Sequence, residues 1–192
     1  MSTIDRRKFL SFLAAGVATP YVVTFTSGDA KAGLVAPDAP FELDSQRVFS
    51  LSVSSGDPTP TGVVLWTRID PSAWRAGQAL IVQVARDADF LQLEFESIVE
   101  SQNIRPERDY CVSVDVDGYL QPNIRYYYRF IYDNTLSRTG RCRTAPPYGA
   151  ALDHLKLGLL TCQDYTNGYY GALAQIANDD SIDFVIHLGD FI

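Results

Sequence analysis

The sequence contains a single methionine in 192 residues, and its basic residues are in the minority. Eleven Tyr and ten Phe stand against that one Met, and because aromatic side chains favour strands, the composition indicates a β-rich core rather than a helical bundle. There are 16 Lys and Arg against 23 Asp and Glu, for a net charge of −7. Since binding to a phosphate backbone requires a basic surface, nucleic acid is not an expected partner.

Several motifs and runs are also missing. The chain has no Gly-rich loop of the kind that cradles nucleotide phosphates and no Gly-x-Ser-x-Gly nucleophile elbow. Its apolar stretch near the amino terminus is short and interrupted by Gly16 and Pro20, which makes it a poor permanent membrane span. An uncleaved anchor is the alternative to the interpretation that follows.

Residues 1–32 have the composition of an export signal. Arg6 and Arg7 precede the apolar stretch, and Ala30 and Ala32 form a small-x-small cleavage signal. Paired arginines at this place are similar to the twin-arginine class of signal. The sequence therefore predicts the twin-arginine export machinery as a partner, cleavage near Ala32, and a periplasmic or extracellular location.

After a predicted linker at residues 33–46, residues 47–147 contain seven short predicted strands separated by turn signals. The first, "VFSLSVSSGD", alternates apolar and polar residues, with Phe49, Leu51 and Val53 on one face, and "GDPTPTG" follows as a turn. This spacing predicts an all-β sandwich of immunoglobulin or fibronectin type III character. The other predicted strands are "VVLWTRI", "ALIVQVARD", "FESIVES", "YCVSVDVDG", "NIRYYYRFIYD" and "LSRTGRCRTAP".

Residues 148–192 have a different pattern. A short apolar run, "LKLGLLT", is followed by "GYYGALAQIANDD" with helical spacing and by a second apolar run, "IDFVIHLG". Strand, helix and strand in this order predict a βαβ unit with parallel strands. Two strands and one helix cannot close an α/β domain, so we expect this one to be incomplete.

Chemistry-bearing residues follow both predicted α/β strands. Cys162 and Asp164 come after the first strand and Asp190 after the second, and the carboxyl ends of neighbouring parallel strands lie at one edge of a sheet. A thiolate beside a carboxylate predicts a transition-metal site. The alternative is a buried Cys and a Gly-Asp turn. His187 lies inside the strand and is expected in the core or behind the ligands.

Other polar residues have simpler interpretations. Cys111 and Cys142 lie on predicted sandwich strands and form either a disulfide or two buried thiols. Arg138, Arg141 and Arg143 could meet phosphate, but basic residues that alternate along a strand are typical of a solvated face.

Several stretches together resemble the PhoD-type alkaline phosphatases. The resemblance to that family's N-terminal domain rests on "SLSVSSGDPTPTGVVLWTRIDP", "VQVARDADF", "VDGYLQPNIRYYYRF" and "GRCRTAP". "LGLLTCQDYTNGYYGALAQIAND" and "DFVIHLGDFI" resemble the start of its metallophosphoesterase domain. The resemblance implies a secreted enzyme that hydrolyses phosphate mono- or diesters with iron and calcium as cofactors.

The resemblance also implies roles for single residues. Cys162 matches the family's iron-binding cysteine, and Asp190 matches its metal-bridging aspartate. Asp164 occupies part of the place of the Asp-x-His motif of general metallophosphoesterases and is a further candidate ligand. The remaining catalytic residues are expected beyond Ile192, so residues 1–192 alone are expected to be inactive. A different class of function is an exported β-sandwich binding module with a vestigial α/β tail.

Overall fold

A computed structural model of the protein describes residues 22–23, 34–35, 45–164, 166 and 170–190. The predicted signal residues Arg6, Arg7, Ala30 and Ala32 lie outside the described residues, as does most of the predicted linker. Two short strands, β1 (Val22–Val23) and β2 (Leu34–Val35), pair antiparallel. No helix within the described residues is long and apolar enough to cross a membrane.

Two sheets packed around one core form the β-sandwich that the sequence predicts. The smaller sheet has the order β3-β4-β7, and the larger has the order β10-β8-β5-β6 with β9 paired to β8. The strands are β3 (Val53–Thr59), β4 (Gly62–Arg68), β5 (Leu80–Ala85), β6 (Leu93–Val99), β7 (Cys111–Asp115), β8 (Arg125–Tyr132), β9 (Thr135–Leu136) and β10 (Gly140–Arg143). Two 3₁₀ turns, Ser101–Asn103 and Pro106–Arg108, connect β6 to β7.

The aromatic strand β8 shows how the sequence builds this core. Tyr126, Tyr128, Phe130 and Tyr132 point inward and are almost fully buried, because successive side chains of a strand point to opposite faces. The side chains between them face outward on the larger sheet. The inner aromatics pack against aliphatic residues of both sheets, among them Leu65, Leu80, Val82, Val84 and Val112.

The middle strand of the larger sheet, β5, is more buried than its alternating pattern predicts. The core-facing residues of β5 are Leu80, Val82 and Val84, as the sequence predicts. The remaining residues of the strand, Ile81, Gln83 and Ala85, are buried as well. On the outer face Gln83 accepts a hydrogen bond from Arg129 Nε at 2.8 Å, and the Arg129 guanidinium lies 3.9 Å from the ring centroid of Phe90. These side chains cover the middle of the outer face.

The first predicted strand begins later than the sequence pattern indicates. A one-turn helix, α1 (Ser45–Val48), precedes it, and Ser52 donates its amide to the carbonyl of Phe49 in a turn with a positive φ at Ser52. Phe49 is therefore buried, whereas Leu51 is exposed. The strand continues through the predicted turn "GDPTPTG" as far as Thr59, with a bulge that absorbs the break in pairing.

The structure decides between the two interpretations of the sandwich cysteines in favour of free thiols. Cys111 lies on β7 of the smaller sheet and Cys142 on β10 of the larger one, and neither is in a disulfide. Cys142 faces the core, and burial raises the pKa of its thiol to about 12. Cys111 is only half-buried.

Residues after the sandwich form the strand–helix–strand unit that the sequence predicts. Strand β11 (Leu157–Leu160) and strand β12 (Phe184–His187) pair in parallel, with α2 (Gly171–Asn178) between them in the chain. Ile176 of the helix packs on Gly158 of β11. We call these elements the α/β unit. Much of its apolar surface is exposed, including Leu159, Val185 and Ile186.

Candidate metal site

The carboxyl ends of β11 and β12 stay paired beyond the last strand residues. Leu188 donates its amide to the carbonyl of Leu160 at 2.9 Å. The backbone amide of Cys162 donates to the carbonyl of Gly189 at 3.1 Å, and the backbone amide of Gln163 donates to the carbonyl of Asp190 at 2.8 Å. These bonds hold the two loops side by side at one edge of the sheet, which is where α/β folds place their ligands.

Both candidate ligands have unusual backbone conformations. Cys162 has a φ of 50° and Asp190 a φ of 55°, in the left-handed region that favours glycine. Gly189, just before Asp190, has a φ of 112°. Non-glycine residues in this region cost free energy, but eight others among the described residues share the conformation, including Ser52 and Phe90 of the sandwich, so it does not by itself mark a binding site.

The Sγ atom of Cys162 lies 3.5 Å from Oδ2 of Asp190. Both residues are exposed, so an ion can reach them from solvent. The hydroxyl of Thr161 lies 3.2 Å from the same sulfur, a contact that the sequence pattern does not indicate. The predicted neighbours are thus in contact at the surface, with a soft sulfur donor next to a hard oxygen donor.

The other two candidates have different positions. Asp164 is exposed and accepts a hydrogen bond from the amide of Thr166 at 2.8 Å, as in a turn. Within the described part of the chain, no third His, Cys, Asp or Glu completes a metal-binding group. His187 is half-buried, and its Nδ1 accepts the amide of Gly189 at 3.2 Å. His187 therefore supports the loop that carries Asp190.

The donor set fits part of a metal site. A thiolate and a carboxylate together suit a transition metal, and the two residues already lie close enough to share one ion or to hold two neighbouring ions. Protein metal sites use more ligands than two, so further donors are needed. Gln163 contributes a buried Oε1 that has no hydrogen-bond partner among the described residues.

A large cleft lies elsewhere on the molecule, between the sandwich, including its strand β3, and the α/β unit. Its volume is about 830 Å³, and neither Cys162 nor Asp190 lines it. Arg125, Arg141 and Arg143 line it from the sandwich, and Asp183 lines it from the α/β unit. Arg141 is exposed, as the sequence predicts, and Arg143 is half-buried. Neither belongs to a free phosphate-binding surface, because both form ion pairs with aspartates of the α/β unit.

Comparisons with known proteins cover the sandwich and, for one relative, the whole chain. The sequence profile of the N-terminal domain of PhoD-like phosphatases matches residues 35–146, more than half of the chain. The chain belongs to the PhoD-like phosphatase family. This confirms the resemblance noted in the sequence, and with it a relationship to phosphoesterases.

Two relatives of this PhoD-like chain show how far the similarity extends. Alkaline phosphatase D of Bacillus subtilis (strain 168) is 35% identical over 197 aligned residues, which cover 100% of this chain and 32% of the relative. The solved structure of PhoD matches with a TM-score of 0.69 and 34% identity over 80% of this chain and 29% of the other. The chain thus spans about a third of the length of these relatives.

Proposed function

We propose that this chain is the N-terminal part of an exported, metal-dependent phosphoesterase that hydrolyses phosphate mono- or diesters. The observation that carries the proposal is the contact between the Cys162 sulfur and the Asp190 carboxylate at the carboxyl ends of two parallel strands. Family membership supports it, because the relative is named as an alkaline phosphatase. Arg6 and Arg7 support export by the twin-arginine pathway.

In this proposal Cys162, as a thiolate, would hold iron, and Asp190 would be a ligand for iron and calcium. Bound cations supply Lewis acidity toward the phosphoryl oxygens and lower the pKa of a bound water toward neutrality. The residues of this chain set the positions of the ligands: His187 holds the amide of Gly189, and the amide of Gln163 holds the carbonyl of Asp190. Asp164 remains a candidate for a further ligand.

Metal binding by the chain itself is the direct test. We would titrate the purified chain with Co²⁺ and follow the thiolate-to-metal charge-transfer absorption, which requires a cysteine ligand. The absorption is expected in the parent chain, to be lost in Cys162→Ser and to require at least about 10-fold more metal in Asp190→Asn. Cys111→Ser and Asp133→Asn are matched controls, since neither residue is near the site. Absorption that survives Cys162→Ser would contradict the ligand assignment.

A chimera tests the reaction. This chain would replace the matching third of the Bacillus subtilis relative, so that the relative supplies the remaining two thirds. We expect metal-dependent hydrolysis of bis-p-nitrophenyl phosphate that falls by about 100-fold or more in Cys162→Ser and Asp190→Asn, because loss of a ligand exceeds the 10–100-fold effect of losing a group that orients one. The Cys111→Ser control should keep its activity. A folded chimera that binds metal but hydrolyses no phosphoester would overturn the proposed function.

A further inference from the structure

The outer face of the larger sheet carries three arginines that all contact the α/β unit. Arg125 lies on β8, and Arg141 and Arg143 lie on β10. The register of the two strands places Arg143 directly opposite Arg125 and Arg141 next to them, opposite Tyr127. We call Arg125, Arg141 and Arg143 the arginine face. Three like charges this close repel one another unless acidic groups neutralise them.

Two of these arginines hold the end of α2 and the turn that follows it. Arg141 pairs with the carboxylate of Asp180 and donates a second hydrogen bond to the carbonyl of Ala177 at 3.2 Å. Arg125 donates to the carbonyl of Asp180. A cation at the carboxyl end of a helix interacts favourably with its exposed carbonyls. The sandwich thus contributes a cap for a helix of the other unit.

The third arginine binds a carboxylate that also joins the two parallel strands. Arg143 pairs with Oδ1 of Asp183, and Oδ2 of the same carboxylate accepts the amide of Lys156 at 3.0 Å. In return the amide of Asp183 donates to the carbonyl of Lys156 at 2.9 Å. Lys156 and Asp183 directly precede β11 and β12, so one side chain connects the sandwich to the amino ends of both strands.

The two ion pairs differ in burial, and this decides which one matters more. The side chain of Asp180 is 76% exposed, and exposed pairs contribute little because water screens them. The side chain of Asp183 is only 9% exposed, and both of its carboxylate oxygens accept hydrogen bonds. Arg143 is held in turn by Oδ1 of Asn123 at 2.8 Å. Removing Arg143 leaves the buried carboxylate of Asp183 without its charged partner.

The α/β unit needs such an anchor because burial fixes the register of β12 only weakly: β11 buries Gly158 and Leu160, but no residue of β12 is buried. A two-stranded pair is marginally stable, and both strands expose apolar side chains, such as Leu159 and Val185. Register is strongly specified only where one face is buried. A slip by one residue would turn every side chain of one strand to the other face and would separate Cys162 from Asp190.

We infer that Arg143 and Asp183 are positioning residues that dock the α/β unit on the sandwich and fix the register of β11 and β12. They thereby hold Cys162 next to Asp190 at the far end of the same strands. The part of this inference that concerns metal binding rests on the proposed function; the part that concerns strand register does not. The sandwich is then the structural base of the candidate site.

The test is hydrogen exchange at single amides of the full chain, because the amides of Cys162, Gln163 and Leu188 report the pairing of the strand ends. In Arg143→Gln and Asp183→Asn we expect these amides to exchange at least about 10-fold faster, while the amides of β5 keep their protection and show that the sandwich is folded. In the double variant these amides should exchange no faster than in the more affected single variant, because the two substitutions remove the same interaction. Arg143→Lys should restore part of the protection.

The exposed pair supplies matched controls on the same face. Arg141→Gln and Asp180→Asn should change exchange at these three amides by less than about 3-fold. Unchanged exchange in Arg143→Gln, or an equal loss in Asp180→Asn, would overturn the inference. The Co²⁺ absorption separates it from the proposed function. Faster exchange in Arg143→Gln, together with a chimera whose Co²⁺ absorption is absent or survives Cys162→Ser, would support the positioning role and overturn the metal site.

Discussion

The hydroxyl of Tyr126 accepts a hydrogen bond from the backbone amide of Gln121 at 2.9 Å, five residues earlier in the chain. The ring is fully buried at the start of β8, and Pro122 lies in the corner between the two partners. A buried tyrosine that bonds the backbone a few residues upstream of its own strand is the tyrosine corner of immunoglobulin-like sandwiches. This contact gives a structural reason for the fold that the sequence stretch "VDGYLQPNIRYYYRF" predicts.

Tyr126→Phe should lower the free energy of unfolding by about 1–3 kcal/mol, because it leaves the amide of Gln121 without its buried partner. Urea denaturation followed by tryptophan fluorescence measures the change. Tyr127→Phe is the matched control, since Tyr127 lies one position along on the outer face; we expect a change within about 0.5 kcal/mol. Equal effects of the two variants would argue against the corner.

Gly140→Ala should destabilise the sandwich by about 1–3 kcal/mol, the usual cost of overpacking. A Cβ at Gly140 would lie 2.2 Å from Cζ of Tyr128, whose buried ring cannot move away. The control is Gly56→Ala, because a Cβ there has nothing within 4 Å and the change should be small. Thermal unfolding measures the change in each variant. A comparable shift of the unfolding temperature in both would contradict the packing argument.

Stability should decline in mild alkali because of Cys142. Burial raises the pKa of its thiol to about 12, whereas a thiol in the unfolded chain titrates near about 8.5. Above that lower value the unfolded state loses a proton that the folded state keeps. The contribution of Cys142 to the free energy of unfolding is therefore complete below about pH 8.5 and then falls by about 1.4 kcal/mol per pH unit.

Cys142→Val isolates this effect. Between about pH 8 and pH 10 the parent chain should lose about 2 kcal/mol more than the variant, measured by urea denaturation at each pH. The tyrosines ionise near about pH 10 but are the same in both chains, so their contribution cancels in the difference. Parallel pH dependences of parent and variant would contradict the burial of this thiol.

The chain by itself should not hydrolyse bis-p-nitrophenyl phosphate, with or without added iron and calcium. Cys162 and Asp190 are two ligands, and metal-ion catalysis of phosphoester hydrolysis requires a more complete coordination sphere. A colorimetric assay with the purified chain measures this, and the chimera with the Bacillus subtilis relative is the positive control. Metal-dependent turnover by the chain alone, lost in Cys162→Ser, would contradict the expectation.

The sequence predicts those features that depend on local patterns. The strict alternation of β8 and the apolar run of β4 identify the sandwich, because each side chain's face follows from its position in the strand. The proximity of Cys162 and Asp190 follows from similar reasoning, since parallel neighbours bring their carboxyl ends together. The left-handed backbone of both residues is not visible in the pattern, because neither is glycine.

Features that depend on distant partners escape such reasoning. Ser45–Val48 forms a helical turn, and the strand starts only at Val53, although the polar-apolar alternation of residues 48–57 fits a strand throughout. Arg141 and Arg143 alternate as solvent-facing residues do, and only the folded chain brings Asp180 and Asp183 to them. In the same way, Phe90 and Arg129 cover the outer face of β5 from elsewhere in the chain.

The position of the arginine face has a consequence for the order of events during synthesis. Among the described residues, the hydrophobic core of the sandwich runs from Val48 to Cys142, whereas the first strand of the α/β unit begins at Leu157. Domains fold as units, the N-terminal ones first, as the chain leaves the ribosome. The sandwich can thus fold completely while the α/β unit is still being synthesised. The arginine face of the sandwich is then exposed to solvent. The α/β unit then assembles on the arginine face of a sandwich that has already folded.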